Sequence, residues 1–185
     1  MAHILADIIS LAQYLKTLRE EPDRCRLEFC CHCGKAGPWR HGHYDRKAKR
    51  TNTGSTNPHP SLESVPVFRF FCPGCQHTSS VLPEYMPPRR WYLWEIQQAV
   101  FMTILAGKSI YAAARSFLPS RDTIARWVRR LKDPKQFLLH KDTLSGHVPD
   151  LGRTPLFTDF WTAVFRIASL GKAMRLCHVA GVDIP

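Results

Sequence analysis

The chain has 185 residues, 44% of them hydrophobic, and carries a formal charge of +11 with a pI near 9.6. That hydrophobic fraction excludes wholesale disorder, and the length allows one large domain or two to three small ones. The charge excess points to a polyanionic partner rather than to a fold.

Its distribution is uneven. Residues 30–90 carry nine Lys/Arg against three Asp/Glu and residues 91–132 seven against two, while both ends are close to neutral. No run of about 18 apolar residues is present, so no membrane span is expected. Met1-Ala2-His3-Ile4 lacks the basic start and unbroken apolar core of a secretion signal. Seven cysteines, an odd number clustered in metal spacing, fit a reducing cytoplasm better than a disulfide framework.

Residues 2–19 read as a helix, because Ile4, Ile8, Leu11, Leu15 and Leu18 recur along one seam. The seam is too short for an independent coiled coil. It fits docking on the chain's own core, or a short homodimer or partner contact. Glu20-Glu21-Pro22-Asp23 ends the helix, since proline disfavours helix at the residue before it.

Next comes Cys30-Cys31-His32-Cys33-Gly34, answered by Cys72-Pro73-Gly74-Cys75 across an insert of 38 residues, Gly34–Phe71. Two Cys-x-x-Cys pairs supply four thiolates, a complete tetrahedral shell for a structural zinc ion at Cys30, Cys33, Cys72 and Cys75. Gly34 and Gly74 allow the close or left-handed backbone of such turns. Cys31 would give a tighter bite with Cys33, and His41 and His43 are weaker candidate ligands. Cys25 and Cys177 have no partner at metal spacing and read as small apolar residues.

Between the pairs, Trp39–Arg46 alternates as a strand, with Trp39 and His41 on one face and Arg40 on the other. Lys47, Lys49 and Arg50 open a polar loop running to about Ser64, and Val65–Phe71 is the strand entering the second pair. Residues 78–90 read as an extended, proline-stiffened connector.

From Trp91 the period becomes helical. One helix ends at Gly107, Ser109 caps a short alanine-rich helix, and Ser120 caps a third from Arg121 to about Lys132. In the third, Ile124, Trp127, Val128 and Leu131 face inward, and the arginines lie on the other side or its edge. This is the grammar of a helix–turn–helix, in which small residues let the helices approach and the second helix enters the major groove. Beyond it, Asp133-Pro134 breaks the pattern and residues 145–152 read as loop. Phe157, Phe160, Trp161, Val164, Phe165 and Ala168 form an aromatic stripe at helical spacing, suited to a core or to a partner protein.

The order Cys30-x-x-Cys33-Gly34, Arg40-His41-Gly42-His43-Tyr44, Phe70-Phe71-Cys72-Pro73-x-Cys75 and Ser120-Arg121-x-Thr123-Ile124-x-Arg126-Trp127 resembles the zinc-ribbon and helix–turn–helix modules that begin many bacterial insertion-sequence transposases. Related small mobile-element proteins look similar. The resemblance covers about residues 28–132, with Cys31 where such a knuckle usually has proline. It implies a bacterial, nucleoid-associated protein active in transposition or recombination. The long catalytic domain of those transposases has no counterpart, and Asp142, Asp150, Asp159 and Asp183 show no separated-carboxylate framework, so no enzyme is expected.

The expected architecture is α+β. An N-terminal helix (1–22) precedes a zinc ribbon with its inserted loop and connector (23–90). A helix–turn–helix (91–132) follows, then a tail with one aromatic amphipathic helix (133–185). The expected function is zinc-stabilised, sequence-specific binding of double-stranded DNA for transposition, recombination or transcription regulation. The expected contacts are Arg121, Asp122, Arg126, Arg129 and Arg130 on the helix and Arg40, Arg46, Lys47, Lys49 and Arg50 on the ribbon. The alternative is an accessory subunit that docks on a recombinase, transposase or nuclease through residues 2–19 and the stripe around Trp161, and helps hold its nucleic acid.

Overall fold

The computed structural model describes residues 2–47, 64–90, 92–154 and 156–184, and the fold is α+β. The chain divides into two compact units, one within residues 2–93 and the other within 94–184. Most of the polar insert, with Lys49 and Arg50, lies outside the described residues, as does Trp91.

The first unit is built on a four-stranded sheet of order β1-β4-β3-β2, from β1 (Ala2–Leu5), β2 (Trp39–Arg46), β3 (Val65–Phe71) and β4 (Thr78–Pro83). β1 runs parallel to β4, and the other two pairings are antiparallel. Ile8, Tyr14, Val65, Val67, Phe70, Val81 and Leu82 form its core.

The helix expected over residues 2–19 is corrected to a strand, a turn and a shorter helix, α1 (Leu11–Glu20). Local chemistry decides this. Asp7 takes a left-handed φ of 62°, and Ser10 caps α1 by accepting from the Gln13 amide at 3.2 Å. The Gln13 side chain reaches back to accept from the Ile9 amide at 3.0 Å, a variant of the reciprocal capping box. Tyr14 then anchors α1 to the sheet by donating to the Pro66 carbonyl at 2.9 Å.

The connector expected over 78–90 is likewise corrected at its start. Thr78–Pro83 is an interior strand whose first half pairs with β3 and whose second half pairs with β1. Val81 and Leu82 are buried there, and Pro83 sits at the strand's last position, where a missing N–H interrupts little of the ladder.

The second unit is helical. It contains α2 (Trp94–Leu105), α3 (Ile110–Ser116), α4 (Arg121–Lys132), α5 (Pro134–His147), α6 (Phe157–Ile167) and α7 (Leu170–Val179). The tail thus holds three helices among the described residues, where one was expected. Asp133-Pro134 starts a helix rather than ending the pattern: Asp133 Oδ1 accepts from the Gln136 amide at 3.0 Å, and proline occupies the first turn. Helix α5 continues to His147, so only the end of the expected 145–152 loop is irregular, and a short 3-10 turn fills it. Trp161, 1% exposed, sits among Phe157, Phe160, Phe165 and His140. The aromatic stripe is therefore largely core of this unit. The Leu170 amide donates to Gln98 Oε1 at 2.7 Å, tying α7 to α2.

Candidate metal centre and nucleic-acid interface

The two Cys-x-x-Cys turns share one hydrogen-bond plan. The Cys30 amide donates to the Lys35 carbonyl at 2.8 Å and the Gly34 amide to the Cys30 carbonyl at 2.9 Å; the Cys72 amide donates to His77 O at 2.9 Å and Gln76 to Cys72 O at 2.8 Å. Each turn thus closes on the residue five positions after its first cysteine. In both, the residue four positions on is left-handed: Gly34 at φ 72° and Gln76 at φ 58°. Of the close or left-handed backbone expected of the two glycines, Gly34 takes the left-handed form and Gly74 the close approach: a Cβ at Gly74 would run into the Lys35 side chain that crosses it. The rings of His32 and His77 stack at 4.4 Å, joining the two turns. The second turn links β3 to β4, and the first is held by an antiparallel bridge between Phe29 and Ala36.

These turns bring together all four expected ligands. The sulfurs of Cys30 and Cys75 lie 3.6 Å apart, those of Cys33 and Cys72 also 3.6 Å, and all four fall within 4.8 Å of one another. A tetrahedral ion with metal–sulfur bonds of about 2.3 Å requires sulfur–sulfur edges of about 3.8 Å. A disulfide would need about 2.05 Å. The donor set therefore fits a bound metal ion.

Electrostatics agrees with that reading. The backbone amide of His32, which donates to Cys30 Sγ at 3.4 Å, and then that of Cys33 lower the Cys30 thiol to about 6. At Cys75 the His77 amide favours the thiolate, but burial and the three neighbouring sulfurs outweigh it and hold the thiol up at about 12. Without an ion Cys30 ionises well before Cys75, whose thiolate the neighbouring sulfurs oppose. A bound cation removes that opposition.

Cys31 is not among the gathered sulfurs and packs, partly buried, against the core of the first unit. Neither His41 nor His43 joins the sulfurs among the described residues. Cys25 and Cys177 are buried thiols whose pKa burial raises, in Cys177 to about 12, as expected for small apolar residues.

The basic residues fall into two groups. On the second unit, Ala113 is fully buried where α3 meets α4, and Ile124, Trp127, Val128 and Leu131 turn inward. Phe101 of α2 packs against Trp127 at 6.4 Å. Ser109 accepts from the Ala112 amide at 3.1 Å and Ser120 from the Thr123 amide at 3.3 Å, so both expected caps form. Arg121, Asp122, Arg126, Arg129 and Arg130 are all exposed, and so is Lys132, which the spacing argument left out. Arg121 pairs with Asp122 at 3.6 Å at the exposed start of α4.

On the first unit, Arg40 and Lys47 are exposed, with the Arg40 guanidinium 4.1 Å over the Phe68 ring. Arg46 is different. It is half-buried and donates to the carbonyls of Pro87 and Arg90, so its guanidinium holds the segment after β4 against β2. Burial lowers its pKa, a cost those carbonyls offset.

Comparison with family models, curated proteins and solved structures found no match to this chain. The site is therefore read from its own geometry. Among the described residues no helix is long and apolar enough to cross a membrane.

Proposed function

We propose that the protein is a zinc-stabilised DNA-binding protein of the kind its resemblance to transposase N-terminal modules implies, recognising duplex DNA for transposition, recombination or transcription. The observation that carries this reading is α4. One face is packed by Ile124, Trp127, Val128 and Leu131, and four arginines and Lys132 are left exposed on a helix that Ser120 caps beside the short α3. Exposed arginines on a capped second helix can meet guanine edges or phosphates.

Zinc suits the four-thiolate set better than hard cations, which prefer oxygen. It would tie the two turns together, and four sulfurs leave no open position for catalytic water. Its role is then to hold the sheet on which Arg40 and Lys47 stand.

The test joins elemental analysis with DNA binding by the full chain. Purified protein should carry one zinc per chain, lost on conversion of Cys33 and Cys75 to serine. In selection from random duplexes, Arg121→Ala should broaden the recovered sequences. Lys47→Ala should weaken binding to all duplexes alike and reduce the slope of log K against log salt by about one. Uniform losses from both variants would remove the base-reading role of α4.

A further inference from the structure

The outer edge of the sheet is used neither by the sulfur centre nor by α4. Every residue of β2 except Arg46 is exposed, including Trp39 at 57% and Tyr44 at 41%. A β-bulge between Arg40 and His43, with Gly42 left-handed at φ 79°, shifts the register and adds one residue to this strand. Rings gather around it. Trp39 lies nearly parallel to Phe71 at 6.0 Å and 19°, and His41 lies 5.7 Å from the same ring. His43 meets Phe68 at 6.0 Å, beneath the Arg40 guanidinium.

We propose that this edge binds single-stranded nucleic acid, with unpaired bases stacking on Trp39 and its neighbouring rings while arginines hold the phosphodiester chain. Charge selects the partner. Arg40, Arg69 and Lys47 are exposed on β2, β3 and the end of β2, and Arg89 and Arg90 line a cleft with Tyr44, Asp45 and Lys47. Asp45 is the one acidic residue among them. An apolar protein partner would offer nothing to Arg40, Arg69, Lys47 and Arg89, whereas a polyanion is attracted to all four. The rings select the form of the polyanion. A duplex keeps its base faces inside the stack, and only an unpaired strand offers them to an exposed indole. Rings alternating with cations are the composition of sequence-tolerant strand-binding surfaces, where stacking and cation–π contacts add to phosphate attraction. This inference does not depend on the duplex-reading role of α4, and either can fail alone.

The test measures fluorescence anisotropy of the zinc-loaded full chain with labelled oligo-dT, oligo-U, an abasic phosphodiester strand of equal length, and a duplex. Oligo-dT or oligo-U should bind more tightly than the abasic strand, and whichever binds better tells DNA from RNA. Trp39→Ala should raise that Kd about 5- to 140-fold, the range expected for losing one stacked base. Trp39→Phe should restore most of it, and duplex binding should stay within about twofold of wild type. Ultraviolet cross-linking of unmodified protein to oligo-dT should place the adduct on the peptide bearing Trp39, which checks the site without a variant. Equal binding of the abasic strand, equal losses for duplex and single strand, or adducts confined to α4 would overturn the proposal. So would a dimer in sedimentation velocity that Trp39→Ala dissolves, since the edge would then belong to a second copy.

Discussion

Two residues at equivalent places in the cysteine turns carry opposite side-chain costs. Gly34 and Gln76 both stand left-handed, and only glycine does so without a steric penalty. Gln76→Gly should therefore stabilise the metal-loaded protein by about 0.5–1 kcal/mol, and Gly34→Ala should destabilise it by about 1 kcal/mol, both read from urea midpoints. Open space around Gly34 means that its loss is conformational rather than steric. Cys177 sets a second expectation. Burial raises its thiol to about 12, so it remains neutral in the folded protein where an exposed thiol would ionise. The unfolded chain then binds fewer protons at alkaline pH, and stability is complete below about 9 and lost as pH rises towards 12. Tyr14 and Cys25 are raised by burial in the same sense. The urea midpoint should fall between pH 8 and 10.5, and Cys177→Ala, though less stable throughout, should show a shallower fall. The ligand set was legible because equal Cys-x-x-Cys spacing is a local chemical fact. The left-handed Gln76 was not, since glutamine has no compositional bias towards that conformation.

Caps decide where most of the helices begin. Ser120→Ala and Asp133→Ala each remove a side-chain acceptor for an otherwise unpaired amide in the first turn, and each should cost about 1 kcal/mol. The two differ in consequence. Ser120→Ala should also weaken duplex binding, because it frays the end of α4 that bears Arg121, while Asp133→Ala should leave the affinity unchanged in the same mobility-shift assay. Legibility tracked this chemistry as well. The serines at Ser109 and Ser120 predict caps, and α3 and α4 begin there. Ser10 with Gln13 and Asp133 with Pro134 carry the same kind of signal, but an apolar seam through Ile4 and Ile8 and a presumed proline break obscured it. Ile4 and Ile8 are buried, yet Ile4 lies in β1 and Ile8 in the irregular link before α1, because so few apolar residues do not tell a helix face from other buried segments. β4 was missed for a related reason. Its serines and its proline look like a linker until β1 and β3, distant in sequence, are laid beside it.

At the level of the whole molecule, the two units draw on different sources of stability. The first has a small core and four ligands that a metal would join across its sheet; the second has a packed aromatic core around Trp161 and no comparable cysteine cluster among its described residues. Chelation with EDTA should therefore open the first unit alone. Limited trypsin digestion followed by mass spectrometry should show new cuts at Arg24, Arg26 and Arg69, with the segment from Trp94 onward still protected and most helical circular dichroism retained. Simultaneous loss of both units would contradict independent folding.

The parallel pairing of β1 with β4 also sets a timetable. Ala2 is made 78 residues before its strand partner, Ser80, which emerges only after the polar insert and the second cysteine pair. Until then the nascent first unit holds an unpaired strand and half a sulfur cage, whereas the later helices can form as they appear. Refolding from denaturant should accordingly split into a fast helical phase and a slower one whose rate depends on zinc. The strand made first must wait for the one made later before either is paired.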